Sequence, residues 1–371
     1  MKRVSLLIVL SLLAGLSALA SEPFTVDAKG AALIDAETGA LLFGQNENLM
    51  LAMASTTKVM TALLALEGAP LDTPVTAGPN AHGVPGTSMY LSEGETLSME
   101  HMLYGLMLRS GNDAAVAVAE AVSGSVAQFA ERMNERALEL GADAHFVNPH
   151  GLDSDCHCAS ALGLARIMRE AMKNPDFRLI TGTQRKIVPW IGNEYSRVLE
   201  NKNHLLKTYA GATGGKTGYT RKAGRCLVFS AERDGLSLIG AVLNCPTWFD
   251  TAARLLDYGF ENFRTERALE AGAAVGVIEV RGGMRPTVAL VAGTPLTATV
   301  SIGSAVETVL ELPERVDAPV NAGQIIGTAK LLCGGEILAR CDIVAASDVQ
   351  RRDFARGFRR FLRRWVLRLQ R

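Results

Sequence analysis

The sequence predicts an α/β (α+β) unit in which an antiparallel sheet carries a helical cluster, followed by a small all-β sandwich and a C-terminal amphipathic helix. Three observations predict it. Five segments between residues 55 and 173 repeat apolar residues at three- and four-residue spacing, and strand-like runs flank them on both sides. After residue 263 the chain changes to short Val, Leu, Ile and Thr runs broken by Gly and Pro. From Phe354, large apolar residues form one stripe among arginines. A length of 371 residues suits two domains with appendages. A hydrophobic content of 48% rules out a disordered chain.

The elements follow in order. Met1-Lys2-Arg3 is a basic start, Val4 to Leu16 an apolar core, and Ala18-Leu19-Ala20 an A-x-A cleavage signal, so 1–20 reads as an export signal. The apolar run is short for a membrane span of about 20 residues. Runs 31–35 and 40–43, joined by Ala36-Glu37-Thr38-Gly39, predict a hairpin. Helices are expected over 55–67, 98–109, 112–122, 125–140 and 159–173. Ser125 opens one that Gly141 closes, and Asn174-Pro175 stops the last. Runs 225–232 and 236–244 form the clearest antiparallel pair, and 248–263 returns to helix. Both ends of this first unit, 21–263, then share one sheet. The second unit, 264–348, holds six strand runs: 275–280, 287–291, 298–302, 307–312, 324–333 and 336–344. The remainder, 349–371, predicts a cationic amphipathic helix with Phe354, Phe358, Phe361, Leu362, Trp365 and Leu369 in a stripe about 100° wide.

Charge narrows the partners. The chain carries 38 basic and 38 acidic residues, a formal charge of zero. Residues 1–20 hold Lys2, Arg3 and no acid, while 350–371 hold nine arginines and one aspartate. That leaves 27 basic and 37 acidic residues for 21–350, a body of net charge −10. Such a body repels nucleic acid. The tail, by contrast, suits an anionic membrane surface: a cationic amphipathic helix lies in the lipid interface, with roughly 1 kcal/mol of attraction per arginine. The expected location is the outer face of the cytoplasmic membrane, at the cell surface or in a periplasm. No P-loop or dinucleotide-binding fingerprint occurs, and no cofactor is expected. Among six cysteines, Cys226 with Cys245 and Cys333 with Cys341 flank hairpin turns out of register, which argues against a disulfide scaffold. Cys156-His157-Cys158, with His150 nearby, is the one cluster with metal-ligand character, but it reads as a reduced pair on a loop and no metal is expected.

Three motifs carry chemistry. In Ser55-Thr56-Thr57-Lys58 a spacing of three puts hydroxyl and amine on one helix face. A lysine whose pKa is lowered by burial or neighbouring cations can take the serine proton. Alone the motif is weak, since roughly one S-x-x-K arises by chance in a chain this long, and an ordinary capped helix with a solvated lysine accounts for it equally. Ser110-Gly111-Asn112 falls at a break between helices. Lys216-Thr217-Gly218 follows a Gly-rich run and precedes a strand, where an extended peptide could dock on a sheet edge. Each alone could be a turn. In the order S-x-x-K, S-x-N, K-T-G they match the signature of active-site-serine penicillin-recognising enzymes.

With these motifs the chain resembles the low-molecular-mass penicillin-binding proteins that are D-alanyl-D-alanine carboxypeptidases. Further family-like stretches are Leu33 to Gly39, Ala54 to Leu63, Arg109 to Ala114, Asn148-Pro149-His150-Gly151-Leu152 and Gly215 to Tyr219. The resemblance implies a β-lactamase/transpeptidase-like catalytic domain, removal of the terminal D-alanine from the peptidoglycan pentapeptide stem through an acyl-enzyme, and covalent inhibition by β-lactams. It implies Ser55 as nucleophile, Lys58 as base and Ser110 as proton relay. Asn112 would hold the substrate amide, Lys216 and Thr217 the terminal carboxylate, and Gly218 would keep the strand clear. The N–H groups of Ser55 and Tyr219 would form the oxyanion hole. One feature departs: no arginine occurs between Arg233 and Arg254, where some relatives place a carboxylate ligand. A β-lactamase and a non-catalytic wall-binding scaffold are the rival readings; the second domain and tail weigh against the first, the intact motif residues against the second.

Overall fold

The computed structural model describes residues 24–352. The expected export signal and the helix expected beyond residue 352 lie outside the described residues.

The first unit is built on a five-stranded antiparallel sheet, in the spatial order Leu41–Gln45, Gly30–Asp35, Leu236–Leu243, Gly224–Arg233, Ala212–Thr220. The two N-terminal strands thus complete a sheet whose other three strands begin at Ala212, 167 residues after Gln45, as the hairpin and the 225–244 pair predicted. Alternate residues of each central strand serve two cores. Ala32, Ile34, Val228, Ile239 and Ala241 face the helical cluster. Leu33, Leu227, Phe229, Leu238 and Val242 face the helix Trp248–Asn262. Burial on both faces is why these strands are almost continuously apolar. The edge strand Ala212–Thr220 pairs with Gly224–Arg233 on one side only, leaving its outer edge toward the helices.

The helical cluster comprises Lys58–Gly68, Met99–Tyr104, Asn112–Ser123, Val126–Glu139, Ala161–Ala171 and Pro175–Gly182. Three local differences from the sequence reading matter. The segment expected to begin a regular helix at Ser55 is a tight 3-10 turn, Ala54–Thr57, before the α-helix starts at Lys58. The 98–109 segment is α-helical to Tyr104 and then widens into a π-turn, Gly105–Arg109. Asn174-Pro175 ends one helix but also starts the next, because the Asn174 side chain accepts from the N–H groups of Asp176 and Phe177 and proline is well suited to a first helical turn.

The second unit pairs six strands in the order Val306–Glu311, Ile325–Cys333, Glu336–Ala345, Thr287–Ala292, Ala274–Arg281, Arg315–Asp317, and packs them against a two-stranded layer, Phe263–Leu269 with Leu296–Ser301. Leu290, Leu296, Ala329, Leu331 and Ile343 fill the space between. All six expected runs are strands. Phe263–Leu269 and Arg315–Asp317 escaped notice because their charged residues hide the alternation. The units meet where Arg267 donates to Glu37 at 2.7 Å and the hydroxyls of Thr38 and Thr299 lie 2.7 Å apart. Among the described residues no helix is long and apolar enough to cross a membrane.

Candidate active site

The site forms where the Ala54–Thr57 turn, the break at Ser110 and the edge strand converge. The turn owes its tightness to its own hydroxyls: Thr56 Oγ1 donates to the Met53 carbonyl at 2.6 Å and Thr57 Oγ1 to that of Ala54 at 2.8 Å. Ala54 sits at φ 49°, a left-handed conformation that costs an alanine about 1–2 kcal/mol. Two glycines hold it there by lying against it. A Cβ on Gly151 would stand 2.0 Å from the Ala54 carbonyl oxygen. One on Gly218 would stand 2.9 Å from the Ser55 nitrogen and 3.0 Å from both the Met53 oxygen and the Thr56 nitrogen. The K-T-G glycine therefore lets the edge strand lie directly on the backbone of the Ala54–Thr57 turn.

Lys58 is fully buried, and its Nζ lies 3.0 Å from Ser55 Oγ. It donates to Asn112 Oδ1 at 2.7 Å and to the His150 carbonyl at 2.5 Å. Asn112 is oriented for this by donating its own amide to the Pro85 carbonyl at 2.6 Å. A neutral amine has two N–H bonds and one lone pair. With both N–H groups taken by oxygens, the lone pair is left for the Ser55 hydroxyl. Electrostatics agree: burial first, then the charges of Lys216 and Lys202, hold the Lys58 pKa well below that of a free lysine, with Asp113 opposing.

Ser110 follows the π-turn at φ 67° and is 4% exposed, just before the helix Asn112–Ser123. Asn112 N donates to Thr87 O at 2.7 Å and Thr87 Oγ1 to Ser110 O at 2.7 Å, which ties the 85–91 segment to the motif. Asp113, next in sequence, accepts from Ser88 Oγ and from the N–H groups of Met89 and Leu91. Behind that segment lies a buried ion pair. Arg197 meets both oxygens of Glu95 at 2.7 Å and donates to the carbonyls of Met89, Tyr90 and Pro189.

Lys216 and Thr217 are 1% and 6% exposed. Lys216 Nζ donates to the Thr217 carbonyl at 2.8 Å, and burial, followed by Lys202, lowers its pKa to about 7. Tyr219 extends its ring to solvent, 64% exposed, at the end of the edge strand. Lys202 is the residue that sequence reasoning missed. Its charge bears on both Lys58 and Lys216, and its own pKa is lowered by burial and by Arg109, so it belongs to the same cleft. Its only sequence signal is a lysine between two asparagines ahead of a Gly-rich run, where Asn201 Oδ1 accepts from Asn203 N at 2.9 Å to close a turn.

The two histidines serve the scaffold. The His150 carbonyl takes the Lys58 bond, while burial, then Lys58, lowers the ring pKa to about 3. His157 Nδ1 accepts from Val147 N at 3.0 Å, so Nε2 carries the proton and donates to Thr57 Oγ1 at 2.8 Å. The flanking Cys156 and Cys158 are free thiols on the same loop. Among the described residues no group of three metal-ligating side chains forms.

Comparison with known proteins follows the same lines. The family described as D-alanyl-D-alanine carboxypeptidase matches residues 17–247, and the C-terminal domain of penicillin-binding protein 5 matches residues 263–351. The chain is 32% identical over 352 residues to D-alanyl-D-alanine carboxypeptidase DacF of Bacillus subtilis, covering 92% of this chain and 90% of that one. It is 36% identical over 251 residues to D-alanyl-D-alanine carboxypeptidase DacB2 of Mycobacterium tuberculosis, covering 65% and 83%. Its structure is similar to that of penicillin binding protein 5 from Haemophilus influenzae, with a TM-score of 0.79, 30% identity, and coverage of 89% and 100%.

Proposed function

The chain belongs to the D-alanyl-D-alanine carboxypeptidase family, and from that premise we propose that Ser55, Lys58 and Ser110 cleave the terminal D-alanine from peptidoglycan stem peptides. The observation that carries the assignment is the position of buried Lys58, 3.0 Å from Ser55 Oγ and bonded to Asn112 Oδ1 and the His150 carbonyl, so that the neutral amine, its two N–H groups engaged, would have its lone pair for the Ser55 proton. Ser55 gives its proton to Lys58 as Oγ attacks the penultimate D-alanine carbonyl. The oxyanion lies against the N–H groups of Ser55 and Tyr219, a contribution of about 3 kcal/mol per donor. The proton then passes from Lys58 through Ser110 to the leaving nitrogen, the C–N bond breaks and D-alanine departs. Water attacks the Ser55 ester with Lys58 again as base, releasing the shortened peptide and restoring the hydroxyl.

Lys216 and Thr217 bind the terminal carboxylate, and Lys202 supplies the second cation that the sequence lacks between Arg233 and Arg254. Asn112 and the free edge of Ala212–Thr220 hold the peptide as an added strand, with Gly218 providing the clearance. β-Lactams acylate the same serine, as is typical of this family. The enzyme works outside the cytoplasm, held to an anionic membrane surface through residues 350–371.

One assay tests the catalytic reading. The mature protein, incubated with labelled penicillin and with a D-Ala-D-Ala peptide, should label stably and release D-alanine, and Ser55→Ala should lose both. Rapid penicillin turnover favours the β-lactamase reading. An unlabelled wild-type protein contradicts both enzyme assignments.

A further inference from the structure

The second unit ends in a feature that catalysis does not use. The turn Gly282-Gly283-Met284-Arg285 joins the strands Ala274–Arg281 and Thr287–Ala292, and Met284 at its apex is 61% exposed. The end of the described chain is strapped onto this turn. Met284 N donates to Gln350 O and Arg352 N to Gly282 O, both at 2.7 Å, while Gly283 bridges to Arg351. Val349 is 1% exposed, and a Cβ on Gly283 would stand 2.8 Å from it, so the strap is packed as well as hydrogen-bonded.

Four exposed arginines belong to the turn and its strap: Arg281 and Arg285 on either side of Met284 in the chain, and Arg351 and Arg352 on the paired strap. Among the described residues two carboxylates, Asp317 and Asp348, lie beside them, and both are engaged. Arg281 holds Asp317 through two bonds of 2.6 and 3.0 Å, and Asp348 Oδ1 accepts from Ala322 N at 2.7 Å. Arg285 is splayed along the turn by its bonds to the Asp348 carbonyl and Ser347 Oγ. The result is an exposed apolar side chain on a turn and strap that carry four arginines against those two carboxylates. The first two of the nine tail arginines, Arg351 and Arg352, are fixed beside the turn by backbone pairing.

We infer that this turn is a rigid second membrane contact, with Met284 entering the headgroup layer and Arg285, Arg351 and Arg352 meeting anionic lipid phosphates. The inference rests on the membrane reading of residues 350–371: whatever surface the tail lies on is also presented to the turn from which it emerges. It goes further in giving the sandwich unit a fixed orientation on the lipid.

The test uses the mature full-length chain and vesicles of equal parts phosphatidylglycerol and phosphatidylcholine, with penicillin labelling of Ser55 to verify folding. Arg285→Gln should weaken binding about five-fold, the equivalent of one arginine near an anionic surface. Met284→Asp combined with Arg285→Gln should weaken it further. The charge-matched Lys207→Gln on the catalytic unit should leave it unchanged. If the full chain binds and the turn variants bind equally well, the tail alone makes the contact and the inference falls. If the full chain itself ignores anionic vesicles, the membrane reading falls with it.

Discussion

Replacing Lys216 by methionine should make the protein more stable while disabling it. In an unfolded chain Lys216 holds its proton to the ordinary lysine value of 10.5; in the folded protein it gives that proton up near 7. Between those two values the unfolded state binds more protons, so stability rises with pH across the window, and the full cost of the buried ammonium is present below pH 7. At 1.36 kcal/mol per pH unit the cost at pH 7 is about 4 kcal/mol. Methionine matches the chain length and gives up the bond to the Thr217 carbonyl, about 1 kcal/mol. A net gain of about 3 kcal/mol should raise Tm by roughly 6–12 °C. Urea and thermal unfolding of both proteins at pH 7 and pH 10.5 measure it, and the advantage should disappear at the higher pH. Equal or lower stability of Lys216→Met at pH 7, or a gain that does not change with pH, would refute the reasoning.

Other perturbations probe the same architecture. Gly218→Ala puts a methyl within 3.0 Å of three backbone atoms of the nucleophile turn, so the strand must retreat. Acylation by labelled penicillin should slow by about 10²-fold, the scale of a 1 Å misplacement, with the far-ultraviolet circular dichroism unchanged. His157 titrates near 4 when folded against 6.5 when free, so the unfolded state takes up its proton first as pH falls, and about 3 kcal/mol of stability is lost by pH 4. His157→Gln, able to keep both hydrogen bonds, should flatten the acid limb of urea midpoints measured between pH 7 and 4. Arg197→Met leaves the Glu95 carboxylate buried and unpaired and releases three carbonyls of the loops beside the S-x-N motif. It should cost about 3–5 kcal/mol in urea unfolding, whereas a cost below 1 kcal/mol would show that the pair does not hold the loops.

What the sequence disclosed and what it withheld follow from the range of the interactions. Ser55 and Lys58, Ser110 and Asn112, and Lys216 to Gly218 are each fixed by local spacing, and the sheet by apolar runs that reveal strands buried on both faces. The 3-10 turn was hidden because its geometry depends on Gly151 and Gly218, which are 97 and 164 residues from Ala54 and press on it only after folding. Lys202 was hidden for the same reason: nothing in Asn201-Lys202-Asn203 announces that the chain returns it to Lys58 and Lys216. His157 looked like part of a Cys-His-Cys cluster, and only the fold turns its ring to Thr57 and Val147 instead.

Lys58, Lys202 and Lys216 together explain how one site can need both a neutral and a charged lysine. After burial, the charges of Lys216 and Lys202 loosen the proton of Lys58, and that of Lys202 loosens the proton of Lys216. Lys58 can therefore serve as a base, but Lys202 also loosens the proton of Lys216, which in the proposed role must be charged to bind a carboxylate. The substrate resolves the conflict. In the proposed site a terminal carboxylate held by Lys202 and Lys216 would cancel the repulsion and draw the Lys216 pKa upward. In the free enzyme, binding should weaken as pH rises above about 7, where Lys216 loses its proton. In the bound complex the same loss should come at higher pH. The alkaline limb of kcat/KM should thus begin near 7 while that of kcat is displaced upward. A peptide with an amidated terminus should show no such separation, because it brings no charge to hold the proton in place.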